Sequence, residues 1–267
     1  METMRINEPK KNSKWPVVLL FLFLAVGGVI IYLAISNEQE PVVIGSKEPE
    51  MNKLVNIEDN TEEKLNEAQN VGVEVKNVRF QDKSNSKWKS NMTIPQVYIN
   101  GEALEELNKE IENKYTNVFN SSKENMRNVE SNYTYTVTYN SYENMVGTKK
   151  ILSLTIHSRT VDDEKQTSIS DTITTYNINV VSKEKLTLGS IATDVLGKDY
   201  KSIIRSNLLN YIVSENMMSE SDFTYATTGL EEFYIKDSNL HIVFNAGELV
   251  DKKYNVVDVT IENTANK

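Results

Sequence analysis

The 267-residue chain contains no cysteine. That absence excludes disulfides, cysteine zinc sites, iron–sulfur clusters and thiol nucleophiles together. Histidine is almost missing as well. His157 and His241 are the only two, too few for a histidine-rich metal centre or proton relay. Cations are the minority charge: Lys and Arg number 29 against 38 Asp and Glu, for a net charge of −9. A basic footprint for a phosphate backbone is therefore lacking, and nucleic acid is not an expected partner. No G-x-S-x-G, H-E-x-x-H or P-loop string occurs. Ser84-Asn85-Ser86-Lys87 and Ser182-Lys183-Glu184-Lys185 match S-x-x-K, but the companion S-D-N and K-T-G elements are absent, so both read as coincidence. No cofactor is expected. What is present, 39% hydrophobic and 25% charged residues, suffices for a packed core. Asn (31) and Lys (24) are abundant, a composition associated with AT-rich bacterial genomes.

One long apolar run stands out. Trp15–Ile35 reads WPVVLLFLFLAVGGVIIYLAI, 21 residues without a charge. At about 1.5 Å per residue it spans about 31 Å, the hydrocarbon thickness of a bilayer. Trp15 and Tyr32 sit near its ends, where amphipathic rings favour the interface. Residues 1–14 carry four cations against two acids, net +2, while 36–70 carry three cations against nine acids, net −6. The positive-inside rule then predicts a cytoplasmic tail at 1–14, a single transmembrane helix at 15–35 in membrane lipid, and everything beyond on the outer side. A cleaved signal peptide is the rival reading, although its apolar region would normally be only about 7–15 residues. Ala34-Ile35-Ser36 places small residues at the spacing signal peptidase reads, so Ala34 and Ser36 mark the candidate cleavage site.

Residues 36–70 are acidic and poor in large apolar groups, and read as a flexible linker with a short helix near Thr61–Ala68. From Val71 the pattern changes. Val71, Val73 and Val75 alternate, then Val78 and Phe80 continue on a shifted phase, which predicts a strand with a bulge or bend. Pro95 in Met92–Ile99 marks an edge or irregular place. Leu104, Leu107, Ile111, Tyr115, Val118 and Phe119 fit a helix, with Asn100-Gly101 as its cap. Three alternating strands follow, around Tyr133–Tyr139, Leu152–His157 and Asp171–Val181, separated by turns at Asn140–Gly147 and Asp162–Gln166. They read as antiparallel strands with one wet face. Leu186–Gly197 reads as a short helical turn, and Tyr200, Ile203, Ile204, Leu208, Tyr211 and Ile212 as a second strong helix. Phe233–Ile235 and Leu240–Phe244 flank a hairpin signal, and Val256–Ile261 is the last strand. The expected fold is α+β: a mainly antiparallel sheet with two principal packed helices, its first half over 71–184 and its second over 185–267.

The order of these pieces carries a family resemblance. Lys185-Leu186-Thr187-Leu188 leads into the second helix, and Phe233–Phe244 with its tail closes the chain. Over roughly residues 71–267 this resembles the paired extracytoplasmic domains of the RsiV type, found in lysozyme-sensing anti-sigma factors of Gram-positive bacteria. The resemblance implies an outer domain that binds lysozyme, a signal-peptidase cut just outside the membrane, and a second cut that frees a sigma factor. Ala34 and Ser36 stand where such a cut would fall. A 14-residue tail is too short to wrap a sigma factor, so sigma-factor inhibition is not expected and no partner-contact residues are carried over.

Chemistry candidates are sparse. His157 and His241 each lie on the polar face of a strand and lack a third ligand at metal spacing. Asp162-Asp163-Glu164 lacks the oxygen spacing and Gly of a calcium loop and reads as a solvated turn. Tyr133, Tyr135, Tyr139 and Tyr142 suggest either an aromatic platform for sugar rings or cross-strand packing, the blander choice. A cell-wall enzyme would need two of the acids, among them Glu102, Asp163 and Glu248, converging about 5–9.5 Å apart. The expectation is a non-catalytic, membrane-anchored module that binds lysozyme, another envelope protein or a wall component. The alternatives are a cell-wall enzyme and a structural subunit of an envelope complex. Protease added to intact protoplasts is expected to degrade the C-terminal portion; its survival would refute the outer placement.

Overall fold

The computed structural model describes residues 59–83, 87–125 and 131–263, all within one compact unit, Val55–Lys267. The 15–35 segment and the Ala34 and Ser36 positions lie outside the described residues. Among the described residues no helix is long and apolar enough to cross a membrane.

Alternating β-branched and aromatic residues build the larger sheet. Its order is β1 (Val73–Asp82), β2 (Trp88–Ile99), β4 (Tyr133–Val146), β5 (Lys149–Asp162) and β6 (Thr167–Asn179), with β3 (Glu102–Ala103) paired to β2. Neighbours are antiparallel, except that β2 and β4 run parallel over Trp88–Met92. One face carries Val137, Leu152, Leu154, Ile156, Tyr176 and Ile178. Helix α2 (Glu105–Asn125) covers it with Leu107, Ile111, Tyr115 and Phe119; of the rest of the expected stripe, Leu104 precedes the helix and Val118 faces out at 42% exposure. Helix α1 (Asp59–Asn70) leads into β1 and buries Ala68.

A second core forms between two further helices and a smaller antiparallel sheet. Helices α3 (Leu188–Leu196) and α4 (Tyr200–Ser214) contribute Leu188, Ile191, Ile204 and Leu208. Strands β7 (Glu232–Lys236), β8 (Asn239–Phe244) and β9 (Val257–Ile261) contribute Phe233, Ile242 and Val259. Asp237 and Ser238 turn the β7–β8 hairpin with φ of 51° and 63°, the backbone that matches strand twist. The fold is α+β and mostly antiparallel, with four described helices; the expected pair are α2 and α4.

Several local expectations are corrected. Asn140–Met145 is strand, and the hairpin turn falls at Gly147, φ 57°. Asn100-Gly101 turns the β2–β3 hairpin and does not cap α2; Asn100 Oδ1 accepts from Gly72 N at 2.8 Å instead. No residue is inserted in β1, whose register against β2 is continuous from Val73↔Ile99 to Asp82↔Ser90. The phase shift at Asn77 falls opposite Pro95, where β2 changes phase as well, Ile94 and Pro95 both being buried. Val97 N donates to Asn108 Oδ1 at 2.7 Å, on the side away from β1. Pro95 shares that side beyond the last rung with β4, so its missing N–H breaks no ladder bond.

The largest correction concerns the face read as wet. Ser153 is 0% exposed, Asn177 4% and Asn144 9%. Strand β7 crosses this face diagonally, from β6 over β5 to β4, and presents to it the edge that β8 leaves unpaired. Asn177 Nδ2 donates to Phe233 O at 2.6 Å, and Phe233 N donates to Thr175 Oγ1 at 3.1 Å. Ile235 N donates to Ser153 Oγ at 3.0 Å, and Asn144 Nδ2 donates to Ile235 O at 2.8 Å. Ser153 Oγ donates in turn to Asn177 Oδ1, linking the set. Each buried backbone group of this edge thus finds a side chain in place of a strand. Ser153→Ala strands the Ile235 N–H and is expected to lower stability by about 1–3 kcal/mol. Urea denaturation checks it: the midpoint should fall with an unchanged slope, and an unchanged midpoint would show that the bond contributes nothing.

Candidate functional site

The start of β7 carries two adjacent glutamates with opposite tasks. Glu232 reaches the large sheet, where its Oε2 accepts from Thr175 N at 2.7 Å and Thr175 Oγ1 at 2.5 Å. Glu231 faces the turn before it. Its carboxylate accepts from Thr228 N at 2.5 Å, Thr228 Oγ1 at 3.0 Å, Gly229 N at 2.8 Å and the Tyr225 hydroxyl. Thr228 Oγ1 also accepts from Leu230 N at 3.1 Å. Burial pushes the Glu231 carboxyl up, but these donors outweigh burial and hold it below the ordinary carboxyl value. The Tyr225 hydroxyl is pushed well above its ordinary value, first by burial and then by donating to Glu231.

Two glycines bring this turn against α3. Gly189 N, one of the helix-start donors without an intrahelical acceptor, donates to Gly229 O at 2.9 Å. Gly229 has φ +91°, and a Cβ there would meet Gly189 Cα at 3.4 Å. The locked turn lifts Leu230 into solvent at 79% exposure. A cleft of about 280 Å³ lies on one side, floored by Tyr225, Val243 and Phe244. Another of about 160 Å³ lies on the other, against Leu186, Leu188 and Phe233. Sequence patterning gave no sign of this arrangement, because 220–231 has no periodicity and Glu231 bonds a turn rather than a periodic element.

Of the acids named as candidates, Glu102 and Asp163 do not come together, whereas Glu248 lines the cleft of about 280 Å³ with Glu231 and Glu232. Glu102 lies opposite Ile99 at one end of β2, paired with Lys183 at 2.8 Å, and that lysine holds its carboxyl low. Asp163 lies at the other end, 3.7 Å from Lys89 and accepting from Thr134 Oγ1 at 3.0 Å. Ten residues of strand separate them, roughly 33 Å. Glu248 accepts from Asn245 N at 2.7 Å. Asp162 accepts from Glu164 N and Lys165 N, both at 3.0 Å, which shapes the turn.

His157 contacts Asp171, and Arg159 lies 3.8 Å from the same carboxylate. His241 contacts Asp258 at 3.2 Å and stacks on Tyr234, ring centroids 4.4 Å apart. The two dyads stand on different sheets. Among the described residues no group of three or more metal-ligating side chains forms. The tyrosines do not form one platform: Tyr135 is buried under α2, whereas Tyr142 lies on the opposite face, stacked on Tyr234 at 5.5 Å. Ser182 Oγ donates to Glu184, and Lys185, the lysine of the motif, pairs with Glu110, so this S-x-x-K string is split. Another cleft, of about 550 Å³, is lined by Leu104, Leu107, Ile178, Lys183 and Lys185. Both lysines are ion-paired, to Glu102 and Glu110.

No family model matches the chain, and no curated protein does. Its structural neighbours are DUF3298 family proteins. One, from Bacteroides fragilis, is 11% identical with a TM-score of 0.43, covering 72% of this chain and 90% of that one. Another, from Pseudomonas aeruginosa, is 10% identical with a TM-score of 0.47, covering 73% of this chain and 92% of that one.

Because its folded-state carboxyl is depressed, Glu231 contributes stability above the unfolded carboxyl value of about 4.3. That contribution disappears as pH falls through the folded value. Glu231→Gln is therefore expected to be less stable than the parent at pH 7, with the gap closing below about pH 4. Parallel stability curves for the two proteins across this range would sink the assignment.

Proposed function

We propose that the chain is a membrane-tethered, extracytoplasmic binding module of a Gram-positive bacterium that recognises a protein or wall-associated ligand without transforming it. The observation that carries this reading is Glu231. A half-buried carboxylate beside two clefts is where an acid–base catalyst would be sought, yet its oxygens are taken up in shaping a turn. A general acid at neutral pH needs a raised carboxyl, and Glu102, Asp162 and Glu231 are all held low. Glu102 and Asp163 stand too far apart to act on one bond. The apolar 15–35 segment, the charge asymmetry around it and the RsiV-type pattern support the tether and the outer placement. The same pattern makes lysozyme the first candidate ligand, and an acidic domain would steer such a cation toward it. Regulated cleavage at Ala34 and Ser36 belongs to the same reading.

Purified full-length chain in detergent is expected to bind lysozyme or insoluble peptidoglycan saturably and to release no reducing ends from peptidoglycan. Release of reducing ends would replace this reading with the cell-wall enzyme. Absence of saturable binding to either, with stoichiometric co-purification of another membrane protein, would replace it with a structural subunit. N-terminal sequencing of the mature protein is expected to begin at Met1 or Glu2 in resting cells; a start just after Ser36 in all molecules would make the apolar segment a leader.

A further inference from the structure

We propose that the second half of α2, residues 116–124, is a built-in cover that opens as a unit over an aromatic floor of Trp88, Tyr133 and Tyr135. The inference stands apart from the binding-module reading. The two halves of this helix differ in sequence. Residues 105–115 read EELNKEIENKY, mostly strong helix formers, whereas 116–122 read TNVFNSS, seven weak ones in succession. They also differ in how they are fastened. The first half buries Leu107 and Ile111, and Asn108 joins it to β2 through Val97 N at 2.7 Å and Val97 O at 3.0 Å. Of residues 116–124 only Phe119 is buried. Lys123 pairs with Asp82 at 2.5 Å, but both side chains are partly exposed, where such pairs contribute little. A hinge stands between the halves: Thr116 Oγ1 donates back to Glu112 O at 2.7 Å, a bond that competes with the helical ladder and bends helices.

What lies beneath the second half favours opening. Phe119 stacks on Trp88 and on Tyr135, ring centroids 6.2 and 6.3 Å apart, and Trp88 meets Tyr133 at 6.1 Å. Trp88 Nε1 and the Tyr115 and Tyr135 hydroxyls are buried here without a hydrogen-bond partner among the described residues. The neighbouring Thr174 and Ser158 hydroxyls are engaged instead with Lys114 at 2.9 Å and Thr172 at 2.7 Å. Each unpaired group costs free energy while the helix is closed and gains water when it lifts. That gain opposes the apolar burial of Tyr115 and Phe119. Closed and open forms therefore lie nearer in free energy here than under the first half, where both ends of the Asn108 amide are bonded. Segments that open below global unfolding are drawn from regions of this kind. Opening back to Thr116 bares the three rings and their hydrogen-bonding groups, a surface that the closed form hides.

The test is amide hydrogen exchange on the full-length chain in nanodiscs. Amides of 116–124 are expected to share one level of protection, about tenfold or more below that of 107–115. Protection that rises gradually from 124 back to 116 would be ordinary fraying of a helix end and would overturn the proposal. Asn117 and Asn120 are exposed. Replacing each by Ala favours the helix by about threefold, so the Asn117→Ala, Asn120→Ala double variant is expected to slow exchange of 116–124 about tenfold and leave 107–115 unchanged. Equal slowing of both halves would make them one unit and overturn the proposal. Tyr115→Phe and Tyr135→Phe are each expected to slow exchange of 116–124, because the hydroxyl removed has no partner in the closed form. Faster exchange in either variant would show that the hydroxyl is bonded when the helix is shut, and would equally overturn it. None of these results bears on the binding module, which the ligand assays decide.

Discussion

The structure depends on how the unpaired edge of β7 is satisfied. A three-stranded sheet has two open edges, and a buried edge without partners leaves N–H and C=O groups at about 1–3 kcal/mol each. The large sheet has the complementary problem: Asn144, Ser153, Thr175 and Asn177 point away from the α2 core and would be wasted in an apolar interior. Joining the two answers both. The side chains of β4, β5 and β6 act as the missing neighbour of β7, and the second core can then close over α3 and α4. Had those four positions been apolar, the face would pack against something, but nothing would specify where β7 crosses or in which register.

The same constraint reaches the turn at Thr228–Glu231. Glu232 belongs to the ladder through Thr175, and Glu231 is its immediate neighbour, so the position of the turn is inherited from the seat of β7. Adjacent residues on an extended backbone point to opposite sides. One glutamate therefore ties sheet to sheet and the other ties the turn to itself. Leu230 is exposed because the chain leaves this junction toward α3, where a pair of glycines allows the backbones to meet. Glu102, Glu231, Glu232, His157 and His241 each take part in such structural contacts.

Much of the fold was legible beforehand because the signals are local. The i, i+3, i+4 spacing from Leu104 to Phe119 and from Tyr200 to Ile212 follows from helical geometry, and the alternation in Leu152–His157 from strand geometry. The Asp237-Ser238 hairpin was legible for the same reason. Asn140–Met145 was misread as a turn because Asn, Ser and Glu favour turns in isolation, while here Asn144 is a buried donor to Ile235. The polar stripe of Ser153 and Asn177 was misread as solvent-facing because alternation distinguishes two faces without stating what covers the polar one. The candidate site was scarcely legible at all. Its parts, Gly189, Tyr225 and Glu231, are far apart in sequence or aperiodic.

By itself the sequence determined composition-level and local facts: no thiol chemistry, an acidic net charge, an apolar 21-residue run with basic and acidic flanks, and the period of each helix and strand. These depend on covalent chemistry or on residues within a few positions of one another. Only the tertiary structure decided which polar face is buried, how β7 crosses the large sheet, and that Leu230 stands on a locked turn. Those outcomes come from matching hydrogen-bond donors and acceptors across up to about 90 residues of chain, and such matching has no period from which it can be read.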